Sequence, residues 1–413
     1  MKKETKVYPG FEISYIKTDK FRSIDMSLNI GKKMVKEEKI FMYFLYKMLF
    51  ENSKKYPNRV AVGQKAEENY MQYVGNNYSM NGDNMFLNFE TKFLNEKYVE
   101  KNHNKNCLDF FFEKIFNPNV ADNKFDEETF NIVKKQIKIH LETLKENPMQ
   151  YANIKALTAA GYETKYNEKM LDDLEKVNPS NLYDFYKDII ENGYFEVYIV
   201  GEIDDNFLKI IEEKIDRNEN GKTYDFIKYL PVEEKRLSEK TNNSQTNVII
   251  IYKLSNLTKE EYCVTMAIYN AILGEGPSSK LFTNVREKNS LCYTVHSSLK
   301  SSVGRLKINT GINLNNLNKA LELINEQLSE IEKGNVTEKE LNAAKASYYE
   351  SIETEDDDSY RMLKSMFGEK HLQFLTNEKL TKIIDSTTIE DVKKVAAKIK
   401  LDTIYILEGV AND

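Results

Sequence analysis

Histidine and cysteine are both scarce in this chain of 413 residues. No two of its four histidines have the spacing of paired metal ligands, since they stand at His103, His140, His296 and His371. The three cysteines are also far apart and indicate the reduced thiols of a cytoplasmic protein: Cys107, Cys263 and Cys292. No cysteine has neighbours that favour a nucleophilic role. The scarce residues therefore indicate neither a metal site nor a thiol enzyme.

A long apolar run is missing as well. No stretch approaches the roughly 20 apolar residues of a membrane span, and the segment Met1–Val7 lacks the apolar part of a secretory signal. The net charge of −6 combines both signs, whereas a nucleic-acid surface requires a basic face. We expect a cytoplasmic protein that binds neither membrane nor nucleic acid.

Two common catalytic motifs are also absent. Gly274–Lys280 resembles a phosphate loop, but it lacks the glycine before Lys280, and Leu281 stands where serine or threonine is required. No Gly-x-Ser-x-Gly occurs in the chain. The sequence thus favours neither a P-loop nucleotide site nor a serine hydrolase.

The chain contains an internal duplication. Asn131 and Lys134 open a long helical pattern, and Asn342 and Lys345 open a similar one 211 positions later. A second pair has nearly the same offset: a helical segment leads to an apolar strand at Phe195–Val200 and again at Thr403–Leu407. Two independent pairs predict two homologous halves.

Each half has strands at its start, a helix, two more strands, long helices and a closing strand. This order predicts an α+β fold of two homologous domains, each a mainly antiparallel sheet with helices largely on one face. We assign the domains to residues 1–217 and 246–413. The polar segment 218–245 is interpreted as a linker, with one short strand near Tyr224–Tyr229.

The most informative segment is Leu273–Val295. A glycine-rich turn leads to Ser278 and Ser279, either of which can cap a helix, and a strand follows from Leu291. This arrangement holds Arg286 and Tyr293 seven residues apart. A guanidinium and a phenol together can bind a peptide carbonyl or an oxyanion.

The segment closely resembles the second domain of the insulinase and pitrilysin-type zinc peptidases, relatives of the mitochondrial processing peptidase. The resemblance rests on the small-residue turn, the serine pair before Leu281, Arg286–Lys288 and the tyrosine that follows. It implies two domains of the family's fold. It also implies that Arg286 and Tyr293 contact the substrate backbone and the reacting carbonyl.

The same resemblance requires a zinc box, His-x-x-Glu-His, on the first helix. In the matching helix Phe41–Phe50 the two histidine positions fall on Tyr43 and Lys47, and the glutamate position falls on Tyr46. The family's later glutamate ligand falls on His140, or on Ile139 or Leu141 after a one-residue slip. Because one ordinary ligand and a lysine suit zinc poorly, we expect no cofactor in this chain. Lys47 either occupies the vacated metal space, hydrogen-bonded by Tyr43 or Tyr46, or points to solvent.

A scaffold that keeps Arg286 and Tyr293 but lacks the metal box suggests one subunit of a two-chain complex. The resemblance implies a zinc-less subunit of a heterodimeric peptidase, whose zinc-bearing homologous partner receives Arg286 and Tyr293 in its active site. The ligand would be a peptide, from precursor processing or protein maturation, held partly at the strand edge near Asn76–Phe89. A negative chamber wall would favour basic peptides. The alternatives are a structural or assembly protein on the same fold, or a self-sufficient metallopeptidase with relocated ligands.

Overall fold

The structure is a computed structural model that describes residues 2–167 and 169–410. Its strands are β1 (Lys3–Tyr8), β2 (Phe11–Lys17), β3 (Ser23–Lys33), β4 (Tyr73–Asn81), β5 (Asn84–Leu94), β6 (Val120–Ala121), β7 (Lys124–Phe125), β8 (Tyr194–Gly201), β9 (Lys235–Lys240), β10 (Thr246–Leu254), β11 (Cys292–Lys300), β12 (Arg305–Ile312) and β13 (Ile399–Glu408).

Its α-helices are α1 (Lys39–Glu51), α2 (Arg59–Glu68), α3 (His103–Phe116), α4 (Glu127–Thr143), α5 (Pro148–Ala159), α6 (Met170–Glu175), α7 (Pro179–Asn192), α8 (Asp205–Lys214), α9 (Met266–Leu273), α10 (Leu317–Glu332), α11 (Glu338–Glu353), α12 (Ser359–His371), α13 (Asn377–Ser386) and α14 (Ile389–Ala396). Two π-helical turns add to these, at Glu261–Thr265 and Phe282–Glu287. None of the helices within the described part of the chain has the length and apolar character needed to cross a bilayer.

The chain divides into two compact units, and each unit contains a segment from the other half of the sequence. The first unit comprises Met1–Glu142, Glu168–Phe226 and Glu355–Lys370. The second comprises Thr143–Asn167, Ile227–Thr354 and His371–Asp413. The helix α12 is therefore built into the first unit, and α5 is built into the second.

The first unit has a sheet with the strand order β1-β2-β8-β3-β5-β4. All its neighbouring strands are antiparallel except β2 and β8, which are parallel. The central strand β8 is buried on both faces, which explains a mainly apolar sequence that a single charged residue, Glu196, interrupts. One of these faces, with Tyr198 and Val200, packs against Met362 and Met366 of α12.

The second unit has a sheet with the strand order β11-β12-β10-β13-β9, antiparallel except for the pair β13 and β9. Every residue of β10 is buried, because helices cover both sides of it. Val248 and Ile250 belong to the main core, whereas Ile249 and Ile251 pack against Ala152 and Ala156 of α5.

These sheets confirm the predicted α+β fold of two homologous domains. The strand expected near Tyr224–Tyr229 is wrong: that segment is irregular, and the strand of the linker region is β9. The backbone of the segment bonds to a turn instead of a ladder, since Tyr224 N donates to Asn84 Oδ1 at 2.8 Å and Asp225 O accepts from Asp83 N at 2.7 Å.

Candidate functional site

The helix that carries Arg286 begins at Ser279, in the second unit. Ser279 Oγ lies 3.4 Å from the backbone N–H of Phe282, so this serine of the pair caps the helix. Leu281 and Val285 are fully buried and fix one face of the helix in the core. The opposite face is left for polar side chains. The helix winds as a π-turn over Phe282–Glu287, a distortion that often occurs at functional sites.

The side chain of Arg286 is partly exposed and is held by its own helix. The centre of its guanidinium lies 4.6 Å from the ring centroid of Phe282, and Nε lies 3.9 Å from Glu287 Oε1. The exposed fraction of the Arg286 side chain is 41%. A stacked guanidinium keeps its edge donors available for a carbonyl or carboxylate.

Tyr293 occupies a bulge at the start of β11. Cys292 pairs with Ile312 and Thr294 pairs with Gly311, so Tyr293 is the extra residue without a partner in the ladder. A bulge redirects a side chain, and Tyr293 is 76% exposed. Such exposure of a large aromatic ring on the end of a strand suits contact with a ligand.

Backbone bonds place Arg286 and Tyr293 on either side of one tight turn. Arg286 O accepts from Ser290 N at 3.0 Å, and Val285 O accepts from Leu291 N at 3.4 Å. Burial raises the pKa of the intervening Cys292, while a hydrogen bond from Thr310 and the charge of Arg286 oppose that rise. The sequence-predicted pair thus lies at one helix–strand junction as two exposed donors.

The turn before this helix anchors β11 by a close backbone approach. Gly274 O accepts from Ser297 N at 3.0 Å, and Ser297 Oγ donates to Asn270 Oδ1 at 2.7 Å. A Cβ added at Gly274 would lie 2.8 Å from Ser297 N and 2.8 Å from Leu281 Cδ1. The lack of a side chain is therefore required for β11 to reach its place.

Replacing Gly274 by alanine is expected to lower the free energy of unfolding by about 1–3 kcal/mol, because the backbone of β11 must shift to admit the methyl group. Urea denaturation would measure the loss. Gly63 on α2 is the matched control: a Cβ there meets no atom within 4 Å, so alanine should stabilise the helix by about 0.5–1 kcal/mol. Equal effects of both substitutions would contradict the close approach.

The four positions of the degenerate zinc box meet in the first unit. Tyr43, Tyr46 and Lys47 lie on α1, and His140 lies on α4 with its ring centroid 6.1 Å from that of Tyr43. Tyr78 of β4 adds a third tyrosine ring, 6.0 Å from Tyr43 and 5.8 Å from Tyr46. Of the candidates for the later ligand position, the structure places the His140 ring beside Tyr43.

Known proteins resemble this chain in sequence and in fold. A sequence profile described as "Peptidase M16 inactive domain" matches residues 176–348, a range that includes Arg286 and Tyr293. A Bacillus subtilis (strain 168) protein described as "Probable inactive metalloprotease YmfF" is 24% identical over 410 residues, covering 97% of this chain and 96% of the relative. The chain is therefore similar to the M16-type peptidases, with the profile match confined to residues 176–348. Its likeness is to members described as inactive, which confirms the predicted resemblance.

Two further comparisons concern a zinc protease and the fold. A second Bacillus subtilis (strain 168) protein, described as "Uncharacterized zinc protease YmxG", is 25% identical over 252 residues, which cover 59% of each chain. The crystal structure of a conserved protein from Enterococcus faecalis V583 superimposes with a TM-score of 0.90 at 24% identity, covering 100% of this chain and 99% of that one. The latter match confirms the fold.

The degenerate zinc box of this chain does not fit zinc. Of its four side chains only His140 is an ordinary zinc ligand, and Lys47 brings a positive charge. The Lys47 ammonium lies 5.5 Å and 5.3 Å from the ring centroids of Tyr43 and Tyr46. Across residues 2–167 and 169–410, no three His, Cys, Asp or Glu side chains are grouped as a metal site would require.

Lys47 interacts with the box rather than simply pointing to solvent. Burial lowers the pKa of Lys47, and the charges of Glu51 and Arg59 act in opposite directions on it. Burial and the charge of Lys47 both lower the pKa of His140. The contact with the tyrosines is made to their ring faces, so a cation–π arrangement stands where the M16 metal box would be.

Replacing Lys47 by methionine is expected to raise the pKa of His140, because a nearby positive charge disfavours the protonated imidazole. NMR titration of the imidazole signals would measure the change. The same spectra contain a control, since His103 has its pKa lowered by burial and by Lys65 rather than by Lys47. A His140 titration that does not move would mean that burial alone depresses its pKa.

Sequence reasoning missed a group of cations in the second unit: Lys300, Arg305 and Lys307. The available signal was the alternation of β12, in which Arg305 and Lys307 are separated by the buried Leu306 and followed by the buried Ile308. That pattern indicates a polar face of the sheet, but it does not show that other side chains partly cover this face.

Proposed function

We propose that this chain is the zinc-less subunit of a heterodimeric M16-type peptidase. In this proposal Arg286 and Tyr293 act in trans on a peptide held at the zinc site of a homologous partner. The observation that carries the proposal is the contrast between the two sites. Arg286 and Tyr293 are exposed at one junction, whereas the metal box has become an aromatic cluster with a lysine.

The chemistry assigned to the pair is binding of the reacting carbonyl. As the partner's zinc-bound water attacks the peptide, negative charge develops on the carbonyl oxygen, and donors placed at that oxygen stabilise it. A guanidinium and a phenol supply such donors without a change in their protonation. The substrate would be a precursor peptide or a protein under maturation, and the complex would be cytoplasmic.

The relatives support pairing of unlike members. One bacterium has both a protein described as an inactive metalloprotease and one described as a zinc protease, and both are similar to this chain. A zinc-less chain and a zinc-bearing chain would then share one activity between them.

Reconstitution would test the proposal. The chain would be expressed with a homologue from the same organism that has an intact His-x-x-Glu-His, and the mixture would be assayed for complex formation, bound zinc and peptide cleavage. We expect a complex with zinc on the partner alone and cleavage well above that of either chain. A complex without cleavage would favour a structural or assembly role, and one tightly bound zinc on this chain alone would favour a relocated metal site.

A further inference from the structure

Three cations share one face of the hairpin formed by β11 and β12. Lys300 and Arg305 are directly opposite each other in the ladder, and Lys307 is two residues further along β12. Side chains two residues apart on a strand point to the same face. Lys300, Arg305 and Lys307 therefore form one group, which we name the hairpin cation cluster.

Among the residues that the structure describes, the cluster has no acidic counter-ion. Within residues 2–167 and 169–410, no carboxylate forms an ion pair with any of its three members, and no carboxylate influences the pKa of any of them. The neighbouring Lys253 shows the usual arrangement, since its ammonium lies 2.7 Å from the carboxylate of Asp402. The cluster therefore differs from this neighbouring ion pair.

Neutral groups hold the cluster in place. Lys307 Nζ donates to Asn153 Oδ1 at 2.5 Å, and the guanidinium of Arg305 lies 5.2 Å from the ring centroid of Tyr162. Arg305 Nε is buried without a hydrogen-bond partner in the described structure. A buried donor that is left unsatisfied destabilises a protein unless a ligand accepts from it.

The cluster destabilises the folded chain on its own. Burial and the charge of Arg305 lower the pKa of Lys307 from 10.5 to about 8. Burial also lowers the pKa of Lys300, and Arg305 and Lys165 lower it further. Below about pH 8 the folded state therefore carries a protonated Lys307 beside the guanidinium of Arg305, and the destabilisation from this group is relieved as the pH rises from about 8 towards 10.5. Groups kept at such a cost are candidates for binding.

We propose that the hairpin cation cluster binds the carboxylates of an acidic peptide segment. The proposal rests on the peptide-binding role inferred above and adds a substrate class to it. Each member supplies charged donors, and hydrogen bonds from charged groups to carboxylates are the stronger kind. Binding would satisfy Arg305 Nε and neutralise the repulsion between the three cations.

The position of the cluster favours an extended peptide over a small anion. Tyr293 lies at one end of β11 and Lys300 at the other, and the side chains of Thr294, His296 and Ser298 between them are exposed. At about 3.3 Å per residue the two ends are roughly 23 Å apart. An extended substrate that contacts Tyr293 would therefore place acidic residues about seven positions away at the cluster.

Peptide binding by the full chain would test this inference. Two labelled extended peptides of about nine residues, identical except that one has three glutamates where the other has three glutamines, would be titrated by fluorescence anisotropy. The variant carries Lys300→Gln and Lys307→Gln. The matched control carries Lys319→Gln and Lys382→Gln, at exposed lysines of α10 and α13.

We expect the glutamate peptide to bind at least about tenfold more tightly than the glutamine peptide, with a preference that weakens as salt is added. The cluster variant should lose this preference without a lower melting temperature, because it also loses the repulsion between the cations. The control variant should keep the preference for the glutamate peptide.

Equal binding of both peptides by the unaltered chain would overturn the inference while leaving peptide binding intact. Preferential binding of inorganic tripolyphosphate, with no effect of glutamate, would overturn it in favour of a small-anion site. A preference that persists when the reconstituted complex shows no cleavage would support the cluster and refute the peptidase role.

Discussion

Replacing Arg286 by alanine is expected to lower the cleavage rate of the reconstituted heterodimer by about 10²–10³-fold, the usual effect of removing one donor to a developing oxyanion. The guanidinium is exposed and stacked on Phe282, so its removal leaves no buried group without a partner. Folding and assembly should therefore be unchanged. The loss should lie in kcat more than in KM, because the contact strengthens as charge develops in the transition state.

The control for this substitution is Arg236→Ala on the edge strand β9, where the arginine is also exposed. It should leave the rate unchanged. Tyr293→Phe removes only the hydroxyl of the bulge residue and should also reduce the cleavage rate. Equal rates for Arg286→Ala and Arg236→Ala, with the complex intact, would refute a role of Arg286 at the partner's site and would leave a structural role.

The Arg–Tyr junction and the degenerate metal box could be predicted from sequence because the resemblance to insulinase and pitrilysin-type peptidases matches these positions to family motifs. The helix α1 keeps an apolar face with Phe44, Leu45 and Met48, all buried, and this face fixes where Tyr43 and Lys47 point. Counting back from Pro148 in the family's pattern predicted His140, and in the structure its ring centroid lies 6.1 Å from that of Tyr43. Helical spacing accounts for the arrangement within α1, since residues three and four apart share a side.

Contacts between distant segments could not be predicted in this way. The burial of Arg305 depends on Tyr162, and that of Lys307 depends on Asn153, both far earlier in the sequence. The alternation of β12 alone describes Arg305 and Lys307 as surface residues. For the same reason, no local pattern indicates that α5 covers β10 or that α12 packs on β8.

In the linker region, contacts with distant segments also decide which part of the chain forms a strand. Tyr224–Tyr229 mixes aromatic and polar residues as an exposed strand would, but its backbone finds partners in a turn. The strand forms instead at β9, where Lys235–Lys240 runs parallel to β13. Which of the two segments forms a strand depends on whether a neighbouring strand is available, because β-propensity depends strongly on neighbouring strands.

The buried ion pair of Lys253 and Asp402 connects this region to the second sheet. The two charged groups are 2.7 Å apart, with their side chains 5% and 0% exposed. Lys253 Nζ also donates to Pro231 O at 2.6 Å, and Asp402 Oδ1 accepts from Glu233 N at 2.8 Å. One buried pair therefore fixes both β10 and the segment that leads into β9.

Replacing Asp402 by alanine is expected to lower the free energy of unfolding by about 3–5 kcal/mol, because it leaves the Lys253 ammonium buried without its counter-ion. Urea denaturation would measure the loss, and limited proteolysis should show earlier cleavage around Pro231. The exposed pair of Glu378 and Lys382 is the control: its side chains are 80% and 73% exposed, so Glu378→Ala should cost less than about 1 kcal/mol. Adding Lys253→Met to Asp402→Ala should recover much of the stability, since the penalty arises from the unpaired charge rather than from the lost attraction. If the double variant were no more stable than Asp402→Ala, the loss would instead lie in the hydrogen bonds that Asp402 accepts from Glu233 and Thr403.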